Sequence, residues 1–170
     1  MEKPKYFVGI DISSANFTAA VGIEPWKVWL DAVDFKNDLE GFTKFHEWLK
    51  KHEIQTDQAV LCMEATGVYG EKLAYYAVAN GYALAVEPPL KVKRAFKPVG
   101  HKNDSVDSKQ IAEYSSRFYD KLRFWKPKSE LLEKIQVLLA TREQFVKHKT
   151  AHKNQKKALE SKVVWSPLAI

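Results

Sequence analysis

Residues 5–12 read KYFVGIDI, an apolar run of β-branched and aromatic residues broken only by Gly9 and Asp11. Such a run predicts a strand. Two more follow at once, 17–23 (FTAAVGI) and 27–35 (KVWLDAVDF), parted by Glu24-Pro25. Three strands in quick succession describe an antiparallel meander. Asn37-Asp38 then opens a helix that runs through Lys51, with Leu39, Phe42, Phe45 (or His46) and Leu49 at helical spacing. QAVLCM at 58–63 is continuously apolar, as a strand covered on both faces must be. A helix over about 70–80, closed by Gly81, leads into a fifth strand at 82–86 (YALAV) that Pro88-Pro89 stops.

The order βββ-α-β-α-β, with a right-handed crossover between the last two strands, gives an α/β fold of ribonuclease H-like type. It is a mixed five-stranded sheet flanked by helices. Beyond Pro98-Val99-Gly100 a further helix is expected from near Asp104 to about Tyr119. A long helix follows Pro127, N-capped by Ser129 and reaching at least Leu159. Its positions Leu131, Ile135, Leu138, Arg142, Phe145, Lys149 and His152 alternate spacings of four and three, as a coiled-coil seam does, but only the first half is apolar. The expected division is a sheet domain over residues 1–126 and a helical arm over 127–170, the start of a coiled coil or dimerisation stalk. The ending Pro167-Leu168-Ala169-Ile170 reads as a cut through a longer protein.

Composition narrows the class. The chain of 170 residues has one cysteine, Cys62, which excludes an intramolecular disulfide framework and a Cys-rich zinc module. No run approaches the ~20 apolar residues of a membrane span, and the start lacks a secretory h-region, so the expectation is a soluble cytoplasmic protein. Charge is unevenly spread: residues 1–90 hold 8 Lys and Arg against 13 Asp and Glu, whereas residues 91–170 hold 19 against 8. The stretch from Lys147 to Lys162 alone has six lysines against Glu160. This asymmetry points to a polyanion meeting the second half of the chain.

Four carboxylates stand where apolar residues are expected. Asp11 lies inside the first strand, and Glu64 ends the fourth, in LCMEATGVY, where Thr66-Gly67 turns the chain. An isolated ionised carboxylate in a sheet is costly and either neutralises or finds a cation. Asp104 and Asp107 belong to KNDSVDSKQIAEY, in which positions 104, 107, 111, 114 and 118 fall on one helical stripe. Since Ile111, Tyr114 and Phe118 would pack that stripe on the sheet, both aspartates point inward. Each acid alone has an ordinary explanation: a structural carboxylate, a lysine partner, an N-cap, or a favourable place in the helix dipole. Jointly they predict an oxygen-only site for Mg²⁺ or Mn²⁺, suited to two-metal phosphoryl transfer. Lys91, Lys93, Arg94, Lys97, His101 and Lys102, between the fifth strand and the acidic helix, are placed to hold phosphates beside it.

GIDIS, EATGVY, EPP and KNDSVDSKQIA together resemble the amino-terminal, RuvC-like domain of the DEDD transposases, the bridge-RNA-guided recombinases of bacterial insertion sequences. The likeness covers roughly residues 5–125 and extends into the long helix. Carried over, the family's acidic tetrad falls on Asp11, Glu64, Asp104 and Asp107, the four residues chosen above. Ser108 stands where alanine is usual. The resemblance implies a nucleoid-associated bacterial protein, Mg²⁺ or Mn²⁺ as cofactor, donor and target DNA and a structured bridge RNA as partners, and a dimer or tetramer. It also implies a serine nucleophile in a second domain that these residues do not contain, so this chain is expected to lack complete recombination activity. Three other readings compete: a stand-alone structure-selective nuclease, a sugar-kinase-like ATP site with Thr66-Gly67 as its one phosphate-loop candidate, and a non-catalytic RNA-binding module.

Overall fold

The structure is a computed structural model that describes residues 4–23, 28–65, 67–96 and 104–162. Two strands joined by a tight turn come first, β1 (Tyr6–Ile12) and β2 (Asn16–Ile23). The turn between them is held by Ser13, whose hydroxyl donates to the Asn16 carbonyl and accepts from the Asn16 N–H. β3 (Val28–Lys36) completes the meander, and α1 (Leu39–Lys51) follows. Asp38 caps α1 as its position before an apolar-periodic run predicts, its carboxylate accepting from Gly41 N–H at 2.8 Å. Then come β4 (Ala59–Glu64), a 3-10 turn at Gly67–Gly70, α2 (Glu71–Ala79) and β5 (Ala83–Glu87).

The sheet order is β3-β2-β1-β4-β5. β1 pairs antiparallel with β2 and parallel with β4, and β4 pairs parallel with β5. This is the ribonuclease H-like sheet expected from the element order. Alternation along each strand sends side chains to two different cores. On one face, Val8, Ile10 and Ile12 join Phe17, Phe35, Phe42, Phe45, Leu49 and Leu73 under α1 and α2. Phe17 anchors this side, with its ring 5.3 Å from Phe35 and 5.5 Å from Phe45. Full burial of each such ring stabilises the fold by about 2–3 kcal/mol. On the opposite face, Cys62, Ala85, Val92, Ile111 and Tyr114 form a second, smaller core.

That second face is covered by α3 (Pro89–Arg94) and α4 (Asp104–Arg117). The short α3 was not expected: Pro88-Pro89 ends the strand, but Pro89 also sits in the first turn of a helix, where its fixed φ and missing N–H cost nothing. α4 ends two residues earlier than expected and is followed by a 3-10 turn at Tyr119–Lys121. Its backbone lies directly on β1. A Cβ at Gly9 would meet the Ser108 carbonyl oxygen at 2.0 Å and the Ala112 nitrogen at 2.3 Å. Only glycine permits this approach, and the small Ser108 and Ala112, both fully buried, complete it.

The chain divides into two compact units at Pro127 and Lys128. In the second, α5 (Glu130–Glu160) is a single helix of 31 residues, capped by Ser129 Oγ accepting from Leu132 N–H. Among the described residues no helix is long and apolar enough to cross a membrane.

Candidate active site

Parallel strands bring their carboxyl ends to one edge, and the register decides which residues meet there. Asp11 and Glu64 each stand one residue beyond the Ile10–Met63 pair of β1 and β4. Glu64 is opposite Glu87 at the end of β5, Asp11 is opposite Thr18 on β2, and Thr18 is opposite Asp34 on β3. One level of the sheet therefore carries Asp34, Thr18, Asp11, Glu64 and Glu87 in a row across all five strands. Glu64 shares the face of Cys62, Glu87 that of Ala85, and Asp11 that of Gly9, so these three acids lie on the α3–α4 side.

α4 supplies the remaining pair. Because Gly9 seats α4 on β1, the first turn of the helix, holding Asp104 and Asp107, reaches the end of the strand that carries Asp11. Ile111 and Tyr114 are buried beneath it, as the stripe predicts, while Asp107 is partly buried and Asp104 exposed. The electrostatics register the meeting. Burial, then the charges of Asp107, Asp104 and Glu64 in that order, push the Asp11 carboxyl up from 3.8 to about 6. Glu64 is raised as well, by burial first and by Asp107, with Lys93 pulling the other way. The other three predicted acids thus all act on Asp11.

An oxygen-only set of carboxylates has the donor chemistry of a hard divalent cation. As the side chains are placed, no three His, Cys, Asp or Glu among the described residues stand close enough together to hold an ion. The acids converge without closing a coordination shell. Beside them a cavity of about 310 Å³ is lined by Asp11, Thr18, Asp34, Lys36, Asn16 and Asp104, among others.

The basic residues divide. Lys93 and Arg94 are exposed on α3, and Lys93 is near enough to Glu64 to lower its pKa. Lys91 is committed to a structural partner: its Nζ lies 2.7 Å from the carboxylate of Glu87, which is 2% exposed and also 3.5 Å from the Tyr114 hydroxyl. The Glu87 hydrogen bond holds Lys91 above its ordinary pKa. Lys97, His101 and Lys102 lie outside the described residues. Phe96 packs on the second core, with the Arg117 guanidinium 5.5 Å from its ring centre. Cys62 is fully buried, and burial pushes its thiol far above the reactive range.

Sequence reasoning missed Thr18, Asp34 and Glu87. Thr18 is 6% exposed, and its hydroxyl donates to Asp34 Oδ1 at 2.5 Å. One signal was available, since Asp34 interrupts its strand as Asp11 does. Asn37, read in sequence only as the start of a helix, has a second role. Its Nδ2 donates to the carbonyls of Ser13 and Tyr69, at 2.8 and 3.0 Å, tying together the segments that follow Asp11 and Glu64.

Comparison with known proteins shows the family to which the chain is similar. The family model for DEDD transposases of the IS110 type, described as a transposase, matches residues 8–161. The pilin gene-inverting protein of Moraxella bovis is 31% identical over 153 residues, covering 86% of this chain and 46% of the relative. That of Moraxella lacunata is 32% identical over 152 residues, with the same coverage. The chain spans about half the length of these curated relatives. Among solved structures, Thermus thermophilus RuvC superposes with a TM-score of 0.49 at 14% identity, over 71% of this chain and 99% of that chain. The same protein in complex with a Holliday junction substrate gives 0.49 at 13% identity.

Proposed function

This chain belongs to the DEDD transposase family, and on that premise we propose that it is the metal-binding part of a DNA recombinase, with Asp11, Glu64, Asp104 and Asp107 as the ligands of Mg²⁺ or Mn²⁺. The observation that carries this reading is the row of acids across the strand ends with the first turn of α4 above it; burial first, and then the charges of Asp107, Asp104 and Glu64, lift Asp11 to about 6. That repulsion has no counter-charge among the causes acting on Asp11, and a divalent cation would remove it. Bound there, such ions supply activation of an attacking oxygen and stabilisation of a leaving one.

The chain's own residues do the rest. Asp11 and Glu64 hold their carboxylates at one level of adjacent strands, fixed by the backbone ladder rather than by flexible loops. Asp107 closes from above on a helix that Gly9 keeps seated. Lys93 and Arg94 meet the phosphates of a bound strand, while Lys91 holds α3 in place through Glu87. Without a cation, Asp11 holds its proton up to about pH 6 and gives it up above that. Residues 1–126 would carry this chemistry, and 127–170 would begin the helical arm.

The intact protein, in this reading, performs RNA-guided strand exchange on donor and target DNA as a dimer or tetramer, with a serine nucleophile beyond these residues. The relatives named for inverting a pilin gene favour a reaction that rejoins what it cuts. Cytoplasmic, nucleoid-associated residence follows from such substrates. The test is thermal denaturation with added Mn²⁺. A hundredfold excess over Kd stabilises by about 2.7 kcal/mol, and the double variant Asp104→Asn/Asp107→Asn should lose this response. A double variant that responds like the parent removes the metal site. Robust guide-independent junction cleavage by this chain alone, absent in Asp11→Asn, would replace the recombinase by a stand-alone nuclease.

A further inference from the structure

Helix α5 keeps one face along its whole length, but the chemistry of that face changes halfway. Leu131, Ile135 and Leu138 stand on it at 68%, 42% and 69% exposure. Counting on by helical turns from Leu138, the same row continues through Arg142, Lys149, Lys153 and Lys157, at spacings of seven, four and four. From Val146 to Leu159 the helix holds five lysines and two histidines and no acid.

The cations of this row differ from the other lysines of the helix. Lys134 and Lys147 pair with Glu130 and Glu143, at 2.6 and 3.1 Å. Lys156 reaches Glu160 at 3.7 Å. Arg142, Lys149, Lys153 and Lys157 make no ion pair among the described residues, and all are exposed. A second copy of α5 cannot cover them in register, because a parallel pair would set Lys149 and Lys153 against their own counterparts. A membrane surface does not suit them either, since an interfacial helix needs its apolar and cationic faces on opposite sides along one length. Here Phe145 and Val146 stand beside Arg142 and Lys149 on one side of the helix, not opposite them.

We propose that the second half of α5 binds the phosphate backbone of a nucleic-acid duplex along the row Arg142, Lys149, Lys153 and Lys157. The row spans about 22 Å of helix axis, enough to follow several successive phosphates. Long side chains without carboxylate partners release counterions from the duplex at no cost in broken ion pairs. The row belongs to the second compact unit and shares no residue with the carboxylate site, and its test in metal-free buffer stands or falls separately from the metal reading.

The experiment measures binding of the full chain to fluorescent 20-base-pair DNA and RNA duplexes by anisotropy, in EDTA, between about 50 and 200 mM KCl. The triple variant Arg142→Gln/Lys149→Gln/Lys153→Gln should flatten the slope of log affinity against log salt by about 2–3. A charge-matched control, Lys44→Gln/Lys134→Gln/Lys147→Gln, removes three glutamate-paired lysines and should leave the slope near that of the parent. Both variants keep good helix formers, so equal far-ultraviolet circular dichroism is expected. Equal flattening by the two variants would reduce the effect to net charge and overturn the proposal, as would an unchanged slope in the triple variant. Tighter capture by anionic phospholipid vesicles than by either duplex would overturn it too. Comparing the DNA and RNA arms shows which phosphate backbone the row prefers.

Discussion

Replacing Asp11 by Asn should make the metal-free protein more stable at neutral pH, although it removes a residue of the proposed site. The reasoning begins with the carboxyl itself, lifted from 3.8 to about 6 by burial and by Asp107, Asp104 and Glu64. A group that holds its proton more tightly in the native than in the unfolded state stabilises the fold while protonated. Its contribution is complete below about pH 4, declines as the pH rises towards 6, and is level above that. The full difference corresponds to roughly 3 kcal/mol. Asp11 is only partly buried and borders an open cavity, so solvent screening reduces this to about 1 kcal/mol. Asn keeps the shape and can still accept from the Ile12 N–H, but carries no charge. Wild type and variant should therefore unfold together near pH 4 and separate by roughly 4 °C by pH 7. The assay is thermal denaturation in EDTA at several pH values across this window. A difference between the two proteins that stays constant from pH 4 to pH 7 would refute the convergence of the acids on Asp11.

Three other outcomes follow from the packing and the charges. Gly9→Ala places a methyl 2.0 Å from the Ser108 carbonyl oxygen, so α4 must retreat and the fold should lose about 2–3 kcal/mol in urea denaturation; an unchanged midpoint would show that α4 does not cross β1 there. Glu87→Gln leaves Lys91, whose side chain is 48% exposed, to water rather than stranded. The loss should be about 1 kcal/mol, and a loss near that of Gly9→Ala would mean that Glu87 holds more than α3. Lys93→Gln with Arg94→Gln should flatten the salt dependence of DNA binding by about 1–2 in log–log slope, measured by anisotropy, and full retention of the slope would assign both charges to solvent.

Much of the molecule was readable along the chain because its determinants are local. Alternation and apolar runs fix strand and helix identity, Asp38 and Ser129 announce their helices through their own side chains, and the spacing of Asp104, Asp107, Ile111 and Tyr114 puts them on one stripe whatever surrounds it. The four acids were conspicuous because a charge in an apolar context is costly wherever it ends up. What the chain could not state is which residues of different strands stand at the same level. That depends on register, and register is settled by pairing between segments far apart in sequence. Only the assembled sheet puts Asp34, Thr18 and Glu87 in line with Asp11 and Glu64. Only the assembled layers turn Gly9 from a weak point in a strand into the seat of a helix. Lys91 shows the same limit for charge: in sequence it is one lysine in a basic run, whereas in space its Nζ lies 2.7 Å from the buried carboxylate of Glu87 at the end of β5.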